Sequence, residues 1–160
     1  MANLTGSKQI FHGNTTIADT SAQAPLGTRA FDANGGEWVY LRGTASVIAG
    51  SWCTFNVNVS TAAQTKLVDA DDVGPLAIAG TAVLDGEYGW FQVYGKNALA
   101  CNTGAVAAAS AVFLTSTAGY VDDADVAGDM IVGATSLAAS SGSAFTVWLN
   151  FPYVCNDAIN

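Results

Sequence analysis

Apolar and polar residues alternate in short runs along most of this chain, which is typical of strands. The clearest run covers residues 37–42, where side chains of alternate positions point to opposite faces of a strand. Both faces are bulky, with Trp38 and Tyr40 on one and Val39 and Leu41 on the other. We therefore expect this strand to be covered on two sides. It follows residues 28–33 across the turn Asn34-Gly35-Gly36, so the sequence predicts a hairpin.

The same pattern predicts several further strands. Residues 75–84 and 88–95 flank the Asp85-Gly86 turn and form a second predicted hairpin. A half-buried strand is predicted from Trp52, with Cys53, Phe55, Val57 and Val59 alternating against polar residues. Short strands are also expected at 111–115, 130–136 and 145–151, and a turn or two of helix is expected at 61–68.

Turn residues punctuate the chain about every ten positions, and no long segment has a helical period. The expected fold is all-β, a small single-domain β-barrel or sandwich of short antiparallel strands. Residues 1–25 lack sustained alternation and are predicted to be an N-terminal extended arm, with the β domain at 26–160. Such an arm can anchor on a partner through spaced apolar residues, and a frayed terminus is the alternative. The candidate partner contacts are Leu4, Ile10, Phe11 and Ile17.

The composition changes what the surface is expected to contact. Charged residues make up 11% of the chain, against about 25% in typical domains. A protein surface with so few charges is suited to a lipid bilayer or to a large permanent protein interface. The uncharged stretches 97–121 and 130–156 are broken by polar residues, so neither resembles a membrane-spanning helix. The sequence therefore favours a protein interface and a homo-oligomer, most simply a closed cyclic one.

Charge and cysteine content narrow the partners and the compartment. A net charge of −8 with five basic residues repels phosphate backbones and anionic lipid headgroups, so we expect neither nucleic acid nor membrane as a partner. The first residues lack the basic and apolar regions of a secretory signal, and we expect synthesis in the cytoplasm. Cys53, Cys101 and Cys155 are odd in number and widely spaced, which predicts buried, reduced and unlinked thiols.

Catalytic chemistry is not indicated. His12 is the single imidazole and falls in the polar lead-in, so a Ser-His-Asp arrangement is disfavoured, and no phosphate-binding glycine motif is present. We expect a non-enzymatic protein with no catalytic residue, no cofactor and no metal.

Two related acidic segments stand out, Val68-Asp-Ala-Asp-Asp-Val and Val121-Asp-Asp-Ala-Asp-Val. Their carboxylates are suitable Ca²⁺ ligands, but the spacing does not match an EF-hand. We favour solvated loops whose Asp side chains form Asx-turns.

Aromatic residues are concentrated in the predicted strands. Exposed rings stack on sugars in carbohydrate-binding modules, whereas core packing is the usual role of aromatic residues in strands and is favoured here. The set comprises Trp38, Tyr40, Trp52, Tyr88, Trp90, Phe91 and Tyr94.

Several segments together resemble a known family. They are Leu26-Gly-Thr-Arg-Ala-Phe-Asp-Ala-Asn-Gly-Gly-Glu-Trp-Val-Tyr-Leu-Arg-Gly, Val73-Gly-Pro-Leu-Ala, Tyr88-Gly-Trp-Phe-Gln-Val-Tyr-Gly, Ala118-Gly-Tyr-Val-Asp-Asp-Ala and Asn150-Phe-Pro-Tyr-Val. Over about residues 26–154 the chain resembles the decoration (cement) proteins of tailed-bacteriophage capsids.

That resemblance implies a structural protein of the virion on the outer capsid surface, often a homotrimer, which clamps neighbouring major capsid protein subunits. The family brings no active-site residues. The alternative is a tail-associated or receptor-binding β module that holds host glycan on its aromatic residues.

Overall fold

Ten strands and no helix make up the part of the chain that the computed structural model describes, residues 15–58, 64–140 and 142–155. The prediction of an all-β, antiparallel, single small domain is confirmed, and the sheet is not closed into a barrel. No helix long and apolar enough to cross a membrane occurs in these ranges. The strands are β1 Arg29–Phe31, β2 Glu37–Arg42, β3 Trp52–Phe55, β4 Thr65–Leu67, β5 Gly74–Ala79, β6 Tyr88–Cys101, β7 Ala111–Leu114, β8 Val121–Asp122, β9 Met130–Ser136 and β10 Ala144–Val154.

The strands follow the order β1-β2-β6-β5-β10-β9-β7-β8, while β3 joins β5 to β4. Both predicted hairpin pairings are present, since β1 pairs with β2 and β5 pairs with β6, each antiparallel. The strands predicted near 111–115, 130–136 and 145–151 correspond to β7, β9 and β10.

Strand β6 changes its partner part of the way along its length. Its first half pairs with β2 and β5, and its second half pairs with β10. The change coincides with Gly95, whose φ of +98° favours glycine and whose added Cβ would lie 3.0 Å from the Gly36 Cα. The buried Gln92 amide donates to the carbonyls of Tyr94 and Lys96 at 3.0 and 3.2 Å. The hydrogen-bonded Gln92 side chain and the backbone conformation of Gly95 therefore stabilise this path of the strand.

Three buried clusters lie on either side of the central strands. The first contains Leu76 and Ile78 of β5, and the second contains Ala77 and Ala79 from the other face of that strand. Strand β2 likewise gives Val39 and Leu41 to the second cluster, and Trp38 and Tyr40 to the third. Burial of both faces of β2 was the prediction from its alternation, and it is confirmed.

Two local predictions are wrong. Within 61–68, residues Thr65–Leu67 form β4 and not helix, because Lys66 and its neighbours pair with β3; residues 59–63 lie outside the described ranges. The strand predicted to continue to Val59 ends at Phe55. The Asn56 side chain accepts a hydrogen bond from the Asn58 amide at 2.9 Å, and this Asx-turn ends the strand.

The described part of the predicted arm lies against the third cluster. Asp19 and Tyr88 exchange two backbone hydrogen bonds of 2.7 and 2.9 Å. The Tyr40 hydroxyl donates to the Asp19 carboxylate at 2.6 Å and accepts from the Gln23 amide at 3.1 Å. Burial, together with the hydrogen bond to Asp19, raises the pKa of Tyr40 to about 12. Ala24 is buried, so residues 19–24 follow the surface of the domain.

Of the candidate arm contacts, Ile17 is 56% exposed. Leu4, Ile10 and Phe11, like His12, lie outside the described residues. The boundary at residue 25 stays a prediction.

Candidate functional site

The outward side of β10 carries large aromatic residues. Phe145, Val147 and Leu149 point into the first cluster, while Trp148 between them is 41% exposed. The alternation then breaks, because Asn150 and Phe151 are both exposed in succession and the register with β9 shifts between Leu149 and Tyr153. As a result Phe151 and Tyr153, 47% and 43% exposed, lie on the outward side with Trp148.

These rings contact one another and a half-buried tyrosine of β6. Tyr94 meets Trp148 edge-on, with centroids 5.6 Å apart, and lies 5.5 Å from Phe151. We call Tyr94, Trp148, Phe151 and Tyr153 the aromatic face. The Arg29 guanidinium lies 5.7 Å from the Phe151 centroid and donates to the Glu37 carboxylate at 2.6 Å. The arginine is therefore held over the ring by a second contact.

Aliphatic residues of β9 extend the aromatic face. Val132 lies directly opposite Tyr153, and Met130, two positions earlier on the same strand, is also exposed. Phe151 and Tyr153 also line a small cavity of about 80 Å³ with Pro75 of β5. Exposed apolar residues thus continue from β6 across β10 to β9.

The backbone at the centre of the aromatic face is strained. Phe151 has a φ of +48°, which is an outlier for a bulky residue, and the residue before a proline also avoids helical conformations. Such a conformation costs of order 1–3 kcal/mol, which the ring contacts of Phe151 and the neighbouring sheet must offset. The strain is therefore local to the residue that turns the exposed rings outward.

Most of the aromatic residues identified from the sequence are core residues, which was the interpretation favoured over sugar binding. Trp38, Tyr40, Trp52, Trp90 and Phe91 are buried in the three clusters. Tyr88 is half-buried and stacked on Tyr40, and Tyr94 alone of that set joins the aromatic face. Trp148, Phe151 and Tyr153 were missed. Of these three, Trp148 could have been identified from the sequence, because alternation places it on the opposite side of its strand from the apolar residues around it.

The carboxylates of both acidic segments accept backbone hydrogen bonds. The predicted Asx-turn is present in the second segment, where Asp122 accepts from the amide of Ala124, two residues later, at 2.9 Å. In the first segment Asp72 accepts from the amide of Asp69, three residues earlier, at 3.0 Å, which is a different contact. The loops also meet, because the Asp71 amide donates to the Asp129 carboxylate at 3.0 Å. Among the described residues, no three His, Cys, Asp or Glu side chains are grouped so as to hold a metal ion.

The three cysteines are free. Cys53 and Cys101 are buried, and burial raises the pKa of both thiols. Cys155 is exposed, so the prediction of burial is wrong for this residue, which follows the last residue of β10.

Comparisons of the chain with protein-family models, with curated proteins and with solved structures each found no match.

Proposed function

We propose that this chain is a non-enzymatic structural protein that decorates the outer surface of a tailed-phage capsid and stabilises it by binding major capsid protein subunits. The observation that carries the proposal is the aromatic face, exposed on a chain with 11% charged residues. Contiguous exposed apolar residues mark interaction sites on soluble proteins. The sequence resemblance directs this binding surface to a capsid, where such proteins are often trimers.

The residue types on the aromatic face suit a protein partner. Trp, Tyr and Arg are enriched among the residues that contribute most to binding at protein interfaces, and Trp148, Tyr153 and Arg29 are all present here. Charged residues are depleted at the centres of such interfaces. The face therefore has the composition of an interface centre with a single arginine at its edge.

The aromatic face is also preorganised. Tyr94 contacts two other rings, and Arg29 is fixed by Glu37. Ordering a flexible side chain on binding costs about 0.5–1.5 kcal/mol, and residues already in contact lose less. This arrangement favours a lasting contact of the kind a capsid clamp requires.

Glycan binding by a tail-associated module is the second candidate. It is favoured by the polar neighbours of Trp148, since Asn150 on the same strand and Thr135 on β9 are exposed beside the ring. Sugar sites combine a ring face with nearby hydrogen-bonding groups. A glycan array probed with the purified protein separates this candidate from capsid binding.

The decisive experiment is co-sedimentation with shells assembled from the major capsid protein encoded in the same genome. Wild-type protein is expected to sediment with the shells at a fixed ratio to the shell subunit. Trp148→Ala is expected to bind at least about tenfold more weakly, as truncation of a central interface residue does. Leu84→Ala is the matched control, because Leu84 is 51% exposed and lies in the loop before β6. Wild-type protein that stays in the supernatant, or that binds the glycan array instead, would overturn the proposal.

A further inference from the structure

Strand β1 stands at one end of the strand order, with β2 as its partner strand. Hydrogen-bonded and non-hydrogen-bonded residue pairs alternate along two antiparallel strands. The Tyr40 amide donates to the Thr28 carbonyl at 2.8 Å, and the Asp32 amide donates to the Gly36 carbonyl at 2.9 Å. These two bonds flank β1, so the even-numbered residues of this stretch are the ones whose backbone groups are directed towards β2.

The odd-numbered residues of β1 are Arg29 and Phe31, and their backbone N–H and C=O groups are directed away from β2. In the described part of the chain these four groups have no hydrogen-bond partner. Both residues are exposed. The outer edge of β1 therefore presents two donors and two acceptors, which form a template for pairing with a further strand.

The other strands that have a single partner strand are closed at their outer edges. At the opposite end of the strand order, Val121 of β8 is buried and its carbonyl accepts from the Thr103 amide at 3.0 Å. Thr65 of β4 is 5% exposed, and its hydroxyl donates to the Arg42 carbonyl at 3.2 Å. Among the described strands, β1 thus has the edge that is most accessible to a partner.

The edge of β1 also lacks the features that usually protect an exposed strand. Natural edge strands are shielded by charges, prolines or bulges. Arg29 supplies the one charge of β1, but its guanidinium donates to Glu37 of β2 and lies over the Phe151 ring. The charge is therefore held over the sheet and away from the edge. Phe31 is 66% exposed, the highest fraction among the large apolar side chains of the described ranges.

We propose that the outer edge of β1 binds an extended segment of a major capsid protein subunit, which joins the sheet as an additional strand. An extended backbone supplies an acceptor for each N–H and a donor for each C=O at the two-residue spacing of Arg29 and Phe31. The inference deepens the proposed function and rests on it for the identity of the partner. It specifies the conformation in which that partner binds.

The edge of β1 is continuous with the aromatic face. Arg29 and Phe31 are two positions apart and share one side of their strand, and Arg29 contacts the Phe151 ring on that side. Alternate side chains of the added segment therefore lie beside Phe31 and extend the aromatic face. Apolar residues at these alternate positions of the capsid segment are the ones that fit. Backbone pairing at the edge then fixes the register of the partner against the rings.

Amide hydrogen exchange, resolved to single residues by mass spectrometry, tests the pairing directly. The amides of Arg29 and Phe31 are expected to exchange rapidly in the free protein and at least about tenfold more slowly in protein bound to shells of the major capsid protein. The Ala30 amide is the internal control, because it is directed towards β2 and should be protected in both states.

A pair of substitutions at residue 29 separates the backbone group from the side chain. Arg29→Pro and Arg29→Ala both remove the guanidinium, but only the proline removes the outward N–H. Proline is tolerated on an edge strand where the N–H faces solvent, and circular dichroism establishes that both variants are folded. In co-sedimentation, Arg29→Pro is expected to have a dissociation constant for shells at least about tenfold higher than that of Arg29→Ala.

The outcomes separate this inference from the proposed function. If shells bind the wild type but the two amides gain no protection and Arg29→Pro binds like Arg29→Ala, pairing at the edge is refuted and capsid decoration through the aromatic face stands. Protection of both amides in the free protein would also overturn the inference, because another segment of the chain or a second copy would then occupy the edge. Wild-type protein that stays in the supernatant refutes the proposed function, and with it the capsid segment as the occupant.

Discussion

A Cβ atom added to Gly133 would lie 2.5 Å from the carbonyl oxygen of Asn150 on the neighbouring strand. Gly133 also has a φ of +82°, which L side chains adopt at a cost. The close approach occurs where β10 loses its register with β9 and turns Phe151 outward. The absence of a side chain at Gly133 on β9 thus leaves room for the turn of β10 that exposes Phe151 and Tyr153.

Gly133→Ala is therefore expected to destabilise the domain by about 2 kcal/mol or more, because it combines a left-handed backbone with a clash against backbone atoms. Urea denaturation measures the change. Gly104→Ala is the matched control, since nothing lies within 4 Å of its added Cβ, and it should change stability by less than about 0.5 kcal/mol. Equal effects of the two substitutions would show that the approach of Asn150 is not restrictive.

Trp90→Ala is expected to destabilise the domain by about 3–5 kcal/mol, as large-to-small core substitutions do. Trp90 is 4% exposed and its ring lies 5.0 Å from that of Tyr40. Trp148→Ala is the comparison. The Trp148 ring is on the surface, so its removal should lower the free energy of unfolding by less than about 1.5 kcal/mol. Chemical denaturation of both variants checks the ranking, which a larger loss for Trp148→Ala would reverse.

The stability of the domain is expected to fall as the pH rises from about 10 towards 12. The folded-state pKa of Tyr40, about 12, lies above the ordinary value of 10.0. Above pH 10 the unfolded chain therefore loses this proton while the folded chain keeps it, and unfolding is favoured. Melting temperature measured from pH 8 to 12 should fall less steeply for Tyr40→Phe than for wild type. Parallel curves for the two proteins would contradict a raised pKa of Tyr40 in the folded protein.

A variant that begins at Thr15 is expected to melt like the full-length chain, because it keeps the contacts of Asp19, Gln23 and Ala24 with the sheet. It lacks Leu4, Ile10 and Phe11, the candidate partner anchors. We expect weaker self-association or weaker co-sedimentation with shells for this variant. Unchanged values of both would dispose of a partner role for the arm.

A second variant that begins at Ala24 tests the described contacts of the arm. It removes the carboxylate of Asp19 that accepts from the Tyr40 hydroxyl. Loss of a hydrogen bond to a charged group costs about 1.5–3 kcal/mol, so this variant should melt at a lower temperature than the one that begins at Thr15. Equal melting temperatures would show that the contacts of residues 15–23 contribute little.

The sequence predicts those elements whose information is local. Residues 28–42 contain both the alternation and the glycine turn that a hairpin needs, and β1 and β2 pair as expected. Strand β4 was not predicted because its three residues are held by pairing with Cys53 and its neighbours, which lie ten to fourteen positions away in the sequence. The change of partners along β6 is equally invisible, since no local pattern states which strand lies beside Gly95.

The aromatic face was partly predictable. Regular alternation from Leu149 places Phe151 and Tyr153 with the core residues, because positions two apart share a side of a strand. The register shift and the positive φ of Phe151 reverse that assignment, and the space for them is supplied by Gly133 on another strand. The outward position of Trp148 follows from alternation alone, because it lies between the core residues Val147 and Leu149.

Strand β6 has a mechanical consequence for the proposed binding through the aromatic face. Its first half pairs with β2 and contacts Asp19 through Tyr88, and its second half pairs with β10, which carries three of the four rings of the aromatic face. A pull on those rings is therefore transmitted along one continuous 14-residue strand. Pulling along the strand axis loads the lateral hydrogen bonds of the ladder in shear, so several must break together rather than one after another. The backbone path through Gly95 thus joins the aromatic face to the part of the sheet that contacts Asp19.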